Sequence, residues 1–188
     1  MKKLFLLFAL LGTAMVSKAQ SPDYHAFKFD IGLGYAIPSG SSDGGTKAGV
    51  TFTLQPHYRL SDDFALGLRI EGAGLGYEDK ADGSTNAKVE LLTSYCATGE
   101  YYLSNNTFRP FVGAGLGFFN QQSASVNSGD SNDDNGTLVA GGTKFGAFPE
   151  VGFEAGHFRF SADYNIVGSN NSYLAFKIGA FFGGGSKK

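Results

Sequence analysis

A single cysteine in 188 residues leaves the chain without an internal disulfide or a thiolate-rich metal site, so neither holds the fold together. Charge is sparse and nearly balanced: 15 Lys and Arg stand against 17 Asp and Glu, and these four types make up 17% of the chain. That excludes a polybasic nucleic-acid binder. No stretch shows the i, i+3, i+4, i+7 recurrence of an amphipathic helix, and no apolar run reaches the roughly 18 to 20 residues of a spanning helix. Glycine (28 residues) and aromatics (14%, with 18 Phe) are what the chain has in quantity. Such a composition favours many short strands with small-residue spacing.

The first residues read as an export signal. Lys2 and Lys3 precede the apolar run Leu4 to Leu11, and apolar character continues to Val16 before Ser17-Lys18-Ala19-Gln20. Cleavage after Ala19 would have small residues at the two positions a signal peptidase reads. No cysteine stands at that point, so the signal is not of the lipoprotein kind. The expected organisation is a cleaved signal peptide over 1–19 and one domain over 20–188.

Beyond it, apolar and polar residues alternate with a period of two in eight segments, near 26–37, 48–60, 64–77, 88–103, 108–119, 143–155, 158–166 and 173–182. In the first, Phe27, Phe29, Ile31, Leu33, Tyr35 and Ile37 share one parity, and Lys28, Asp30, Gly32, Gly34 and Ala36 share the other. Charges keep to the second parity throughout, as in Arg69 with Glu71, Lys88 with Glu90 and Glu100, and Lys144 with Glu150 and Glu154.

Alternation alone fits a soluble barrel with an apolar inside or a membrane barrel with an apolar outside. Volume decides between them, because the apolar rows hold about 35 bulky residues and an eight-stranded interior is only just wide enough for side chains. The rows therefore face outward, where Lys or Arg would cost about 2 to 4 kcal/mol at the bilayer midplane. Glycines on the other parity (Gly32, Gly34, Gly113, Gly115, Gly117) make room for long side chains in a crowded lumen. Connections alternate as in an outer-membrane barrel: 61–63, 104–107 and 156–157 are short, 38–47, 78–87 and 120–142 are longer, and 168–172 is brief. Pro56, Pro110 and Pro149 fall within segments, and each removes a ladder donor; at Pro149 a bulge or a local break is expected.

The lumen charges are the candidate site. A two-residue turn at Gly156-His157 pairs Glu154 with Arg159 across the hairpin, the arrangement that favours opposite charges. Arg69, Glu71, Glu90, Glu100, Arg109, Glu150, Asp163 and Lys177 supply further members of a polar plug. His25, His57 and His157 lie toward one end of the barrel and are expected to be solvated or interfacial. Cys96 is expected to be a small lumen residue. Asp130 to Gly136 lacks the glycine position and the twelfth-position Glu of a calcium loop and is expected to be a hydrated external loop. No catalytic, cofactor or metal site is expected.

The run Arg109-Pro110-Phe111-Val112-Gly113-Ala114-Gly115-Leu116-Gly117-Phe118 and the closing strand Tyr173 to Phe182 resemble the small outer-membrane β-barrels of Gram-negative envelopes, the OmpA-type, OmpX-type and opacity-type group. The resemblance spans nearly all of the chain after the signal. It implies an all-β, eight-stranded antiparallel up-and-down barrel in the outer membrane, with both termini periplasmic. Many members end on an aromatic residue, whereas this chain continues from Phe182 to Lys188; a downstream soluble domain is not expected. The expected function is non-enzymatic: a structural or surface-interaction role with a side-chain-filled lumen. The expected partners are outer-membrane lipid and a surface ligand or protein at loops 38–47, 78–87 and 120–142, with the monomer favoured. The alternative is a narrow channel for small or apolar solutes.

Overall fold

The computed structural model describes residues 24–39, 46–81, 84–125, 137–168 and 172–185; the export segment 1–19 and the acidic run 130–136 lie outside them. Eight strands follow in chain order: β1 Phe27–Pro38, β2 Thr46–Arg59, β3 Phe64–Ala81, β4 Ser84–Tyr102, β5 Phe108–Ser125, β6 Thr137–Ala155, β7 Phe158–Asn165 and β8 Tyr173–Gly183. Each pairs antiparallel with its sequence neighbours, and β1 meets β8 from Lys28↔Gly183 to Pro38↔Tyr173, which closes the expected barrel. Closure removes every sheet edge within the wall, the condition for strands to cross a medium that offers no hydrogen bonds.

A period of two dictates which side chains point where. Leu33, Val50, Leu68, Leu116, Phe145 and Phe158 are exposed on the outer face, while Lys28, Arg69, Glu71, Glu100, Glu154 and Arg159 are buried inside. An apolar band around the whole circumference far exceeds the few hundred Å² that a water-soluble monomer exposes. Aromatic stacking reinforces the band near one rim, where Phe153 lies 5.1 Å from Phe108 and 5.0 Å from Phe160 between ring centroids.

Short turns gather at one end. Leu60 N and Ser61 N both donate to Phe64 O, at 2.9 and 3.2 Å, and Ala155 pairs with Phe158 around Gly156-His157. Gly156 has φ +63°, which the first central position of this two-residue turn requires and which glycine supplies without strain. At the opposite end the hairpins run further than the alternation suggested. β3 and β4 stay paired to Ala81↔Ser84, and β5 and β6 to Ser125↔Thr137. Much of 78–87 and 120–142, expected as loop, is therefore strand. Neither segment shows the alternation of the wall: 78–87 and 120–125 are polar on both parities apart from alanines, and Leu138 and Val139 put apolar residues on adjacent positions. A bulge at Gly141 and Gly142, between Gln121 and Gln122 of β5, shifts the register there.

The prolines interrupt ladders without shifting them. β2 pairs with β3 at Leu54↔Ile70 and again at His57↔Gly67, skipping Gln55 and Pro56 in an unchanged register. β6 pairs with β7 at Glu150↔Asp163 and again at the bridge Ala147↔Ile166, skipping Phe148 and Pro149. Ala147 exchanges both of its hydrogen bonds with Ile166, so the missing Pro149 donor, two residues on, falls on the same β7 side. The break expected at Pro149 is thus confined to one ladder, and the strand runs on.

Inner-face glycines accommodate their neighbours at most of the expected positions. A Cβ on Gly34 would lie 2.8 Å from Lys177 Cγ, and one on Gly115 would lie 2.4 Å from the Phe148 ring. Gly32 is the exception, since a Cβ there would touch nothing closer than 3.6 Å.

Candidate functional site

The lumen is built in layers. Nearest the short turns, inward positions of β1, β2, β4, β6 and β7 bring Lys28, Asp30, Gln55, His57, Glu100, Tyr102, Glu150, Glu154 and Arg159 together. Arg159 is the hub. Its Nη2 donates to Glu100 Oε1 at 2.5 Å and Glu150 Oε1 at 3.2 Å, and its Nη1 to Glu100 Oε2 at 3.2 Å and Glu154 Oε1 at 3.1 Å. The expected Glu154–Arg159 register pair is therefore one contact among several. Lys28 Nζ bonds Glu154 and the Tyr102 hydroxyl, and lies 3.2 Å from Asp30. The Tyr102 hydroxyl is 2.9 Å from both Glu100 and Glu154.

A second network lies further in. Arg69 donates to Asp163 Oδ2 at 3.1 Å and Asn165 Oδ1 at 2.5 Å, with its guanidinium carbon 3.4 Å from the Phe148 ring centroid. Glu71 accepts from Tyr173 at 2.6 Å, Thr53 at 3.1 Å and Lys177, whose Nζ is also 2.6 Å from Asp163 Oδ1. A void of about 20 Å³ beside Asp30, Gln55, Arg159 and Lys177 is all that separates the two networks there, room for about one water. Above them Leu75, Leu92, Cys96, Phe119, Phe148, Val167 and Tyr173 form an apolar layer.

Buried charge balances. Among the described residues, Lys28, Arg59, Arg69, Arg109, Arg159 and Lys177 face Asp30, Glu71, Glu100, Glu150, Glu154 and Asp163. Taking an ion out of water costs several kcal/mol, offset only where partners and hydrogen bonds are supplied together. The two networks supply them for Lys28, Arg69, Arg159 and Lys177, whereas Arg59 and Arg109 stand outside both.

Sequence reasoning placed Arg69, Glu71, Glu100, Glu154 and Arg159 in the lumen, and all are there; Arg109 is set apart, at the short-turn mouth. Glu90 is only part-buried and accepts from Gln121 near the other rim. His57 is a correction. Expected to be solvated or interfacial, it is 1% exposed inside the lumen, with Nε2 2.9 Å from Asp30 Oδ2. Its even spacing from Gln55 and Arg59 puts it on their inward parity, which outweighs its closeness to the barrel end. Its Nε2 faces carboxylates, Asp30 and, at 3.6 Å, Glu100 Oε1. The inward aromatics Tyr102, Phe111, Phe119, Phe148, Tyr173 and Phe181 went unrecognised as lumen residues. Doublets carried the signal: in Tyr101-Tyr102, Phe118-Phe119 and Phe181-Phe182, one member must face inward.

A family model described as outer membrane protein beta-barrel domain matches residues 5–185. No protein of curated function matches the sequence. Among solved structures, Neisserial surface protein A is similar, at 18% identity over 84% of this chain and 96% of that one, with a TM-score of 0.58. Ail, the attachment invasion locus protein of Yersinia pestis in complex with the heparin analogue sucrose octasulfate, is 14% identical over 85% and 99% of the two chains, with a TM-score of 0.50. OprG of Pseudomonas aeruginosa is 14% identical over 85% and 97%, also with a TM-score of 0.50. At these identities the likeness is one of fold.

Proposed function

The chain belongs to the outer-membrane protein β-barrel family, and from that premise we propose that it is a non-enzymatic barrel with a plugged lumen, acting at the cell surface through its long-hairpin end. The observation that carries the surface role is the projection of β6. Its backbone from Thr137 to Gly146 pairs with β5 on one side and with no described strand on the other, because β7 ends at Asn165. At about 3.3 Å per residue, these ten residues amount to roughly 30 Å of strand beyond the Ala147↔Ile166 bridge. A free strand edge offers unpaired backbone donors and acceptors to an extended partner.

Orientation follows the usual rule that short turns face the periplasm and long hairpins face outward. The export segment, cleaved after Ala19, delivers a monomer to the outer membrane of a Gram-negative cell. Across 38–47, 78–87 and 120–142, Asp43, Glu78, Asp79, Asp82, Asp130, Asp133 and Asp134 stand against Lys47 and Lys80. Ail is crystallised with a sulfated ligand. An acidic surface of this kind favours a neutral or cationic partner instead.

Planar-bilayer recording separates plug from pore: a silent bilayer is expected, and steady discrete openings would overturn the plug. Incubation with outer-membrane lipid, followed by mass spectrometry, is expected to return the lipid unaltered. A new lipid product would overturn the non-enzymatic reading. For the surface role, cells carrying a 126–136 deletion, with β5 and β6 rejoined by a short turn, should keep the barrel and lose adhesion to whatever surface the wild type binds. Unchanged adhesion would remove the projecting hairpin from the function.

A further inference from the structure

At the short-turn end the lumen opens into a cavity of about 660 Å³, whose lining includes Tyr24, Arg59, Asn105, Arg109, His157 and Phe181. Two guanidinium groups share one slot in its wall. The Arg59 carbon lies 4.8 Å from the Tyr24 ring centroid and 4.9 Å from that of Tyr102, and the Arg109 carbon lies 4.2 and 4.3 Å from the same two rings. Planar guanidinium groups stack well on aromatic faces, which explains how the slot holds them. It does not neutralise them, and like charges this close repel.

Partners for the pair are few. Arg59 is fully buried, its Nε, Nη1 and Nη2 have no hydrogen-bond partner, and the carboxylate oxygen it meets, Glu154 Oε2, is 3.6 Å away. That carboxylate's other oxygen already accepts from Lys28, Tyr102 and Arg159. Arg109 donates Nε to Ser104 O at 3.2 Å, and Nη2 to Asp62 O at 2.8 Å and Asn105 Oδ1 at 3.4 Å. All three acceptors are neutral carbonyl oxygens, which orient the group without cancelling its charge. Leaving the donors of a buried cation unmade is costly, so the slot is short of acceptors and of negative charge.

We propose that this mouth is a receptor for an oxyanion, a carboxylate or phosphate group of a small ligand or peptide that enters from the short-turn side. The guanidinium fork matches the paired oxygens of either group. The buried rings of Tyr24 and Phe181 line the cavity beside the pair. That the ligand is periplasmic rests on the orientation proposed above; the binding itself does not.

The test uses the barrel in detergent micelles, with arginine side-chain Nε–Hε resonances followed by NMR. Inorganic phosphate, acetate and chloride are titrated at matched ionic strength. Saturable shifts at Arg59 and Arg109 with phosphate or acetate, and none at Arg69, are expected. Arg109→Gln, which leaves the contacts of Arg159 untouched, should weaken binding at least about tenfold, as loss of a charge-assisted pair does. Its fold is checked by heat-modifiable gel mobility, and if it does not fold, Arg109→Lys replaces it, keeping charge but losing the fork. Phosphate response alone identifies a phosphate ligand. Response to acetate and to a dipeptide acid, but not to the dipeptide amide, identifies a carboxylate. Chloride shifting the same resonances equally, no saturable shift with either oxyanion, or unaltered binding by the folded variant would overturn the proposal. A silent bilayer alongside any of these results leaves the plug standing, so the two readings fail separately.

Discussion

Replacing Arg159 with methionine removes the hub of the lower network while keeping an unbranched chain in its place. The side chain makes four hydrogen bonds of 2.5 to 3.2 Å to Glu100, Glu150 and Glu154. Without it, these carboxylates and Asp30 face Lys28, with Arg59 3.6 Å from Glu154 as further compensation. Removing one partner of a buried ion pair costs about 3 to 5 kcal/mol, against about 0 to 1 kcal/mol for a pair in water. Because this cation serves three carboxylates, the loss should fall in the buried range. At a urea dependence of about 2 kcal/mol per M, the midpoint should drop by roughly 2 M. Reversible urea unfolding in bilayers, read by heat-modifiable gel mobility, measures it. Adding Glu100→Gln to Arg159→Met should restore part of the loss, since it removes a stranded charge. A loss under about 1 kcal/mol with no coupling between the two sites would mean that the lumen charges are hydrated and the plug reasoning is wrong.

On the outer face, Leu68→Arg should destabilise by about 2 to 4 kcal/mol in bilayers while Leu68→Phe is nearly neutral, measured by the same unfolding assay; equal tolerance of both would argue against a hydrocarbon setting. Cys96 is 2% exposed inside the lumen, so a hydrophilic maleimide should leave the folded barrel unlabelled and modify the unfolded chain fully, by mass spectrometry. Rapid labelling of the folded form would reveal a water-filled bore. Gly115→Leu would drive its side chain into Phe148, 2.4 Å from the first added carbon, and should lower stability by about 1 to 3 kcal/mol. Phe148→Ala in the same chain should recover part of that loss, as denaturation midpoints would report.

Strand order, pairing and wall parity were legible because lipid on one side and a crowded lumen on the other impose opposite rules on alternate residues. Arg69, Glu71, Glu100, Glu154 and Arg159 could be placed from parity alone. Their partners could not, since Arg159–Glu100 and Lys177–Glu71 join side chains across the bore, where no strand register brings them together. The apolar layer of Leu75, Leu92, Phe119 and Phe148 was hidden for another reason: apolar residues on the polar parity weaken the very pattern that reveals it. Strand ends at the long hairpins were illegible because a ladder in water carries no alternation. Arg109 has the parity of a plug residue, yet it sits one residue into β5, where the turn carbonyls of Asp62 and Ser104 capture it.

The central claim is that apolar side chains face hydrocarbon and ionic ones are enclosed. Nitroxide labels at Leu33, Leu68 and Phe160, in bilayers and on a Cys96→Ser background, test it by power saturation with oxygen and with a water-soluble nickel complex. Strong relaxation by oxygen and weak relaxation by nickel are expected at all three. Nickel-dominated relaxation there, with labels at inward Thr53 or Ser94 reporting acyl chains, would contradict it.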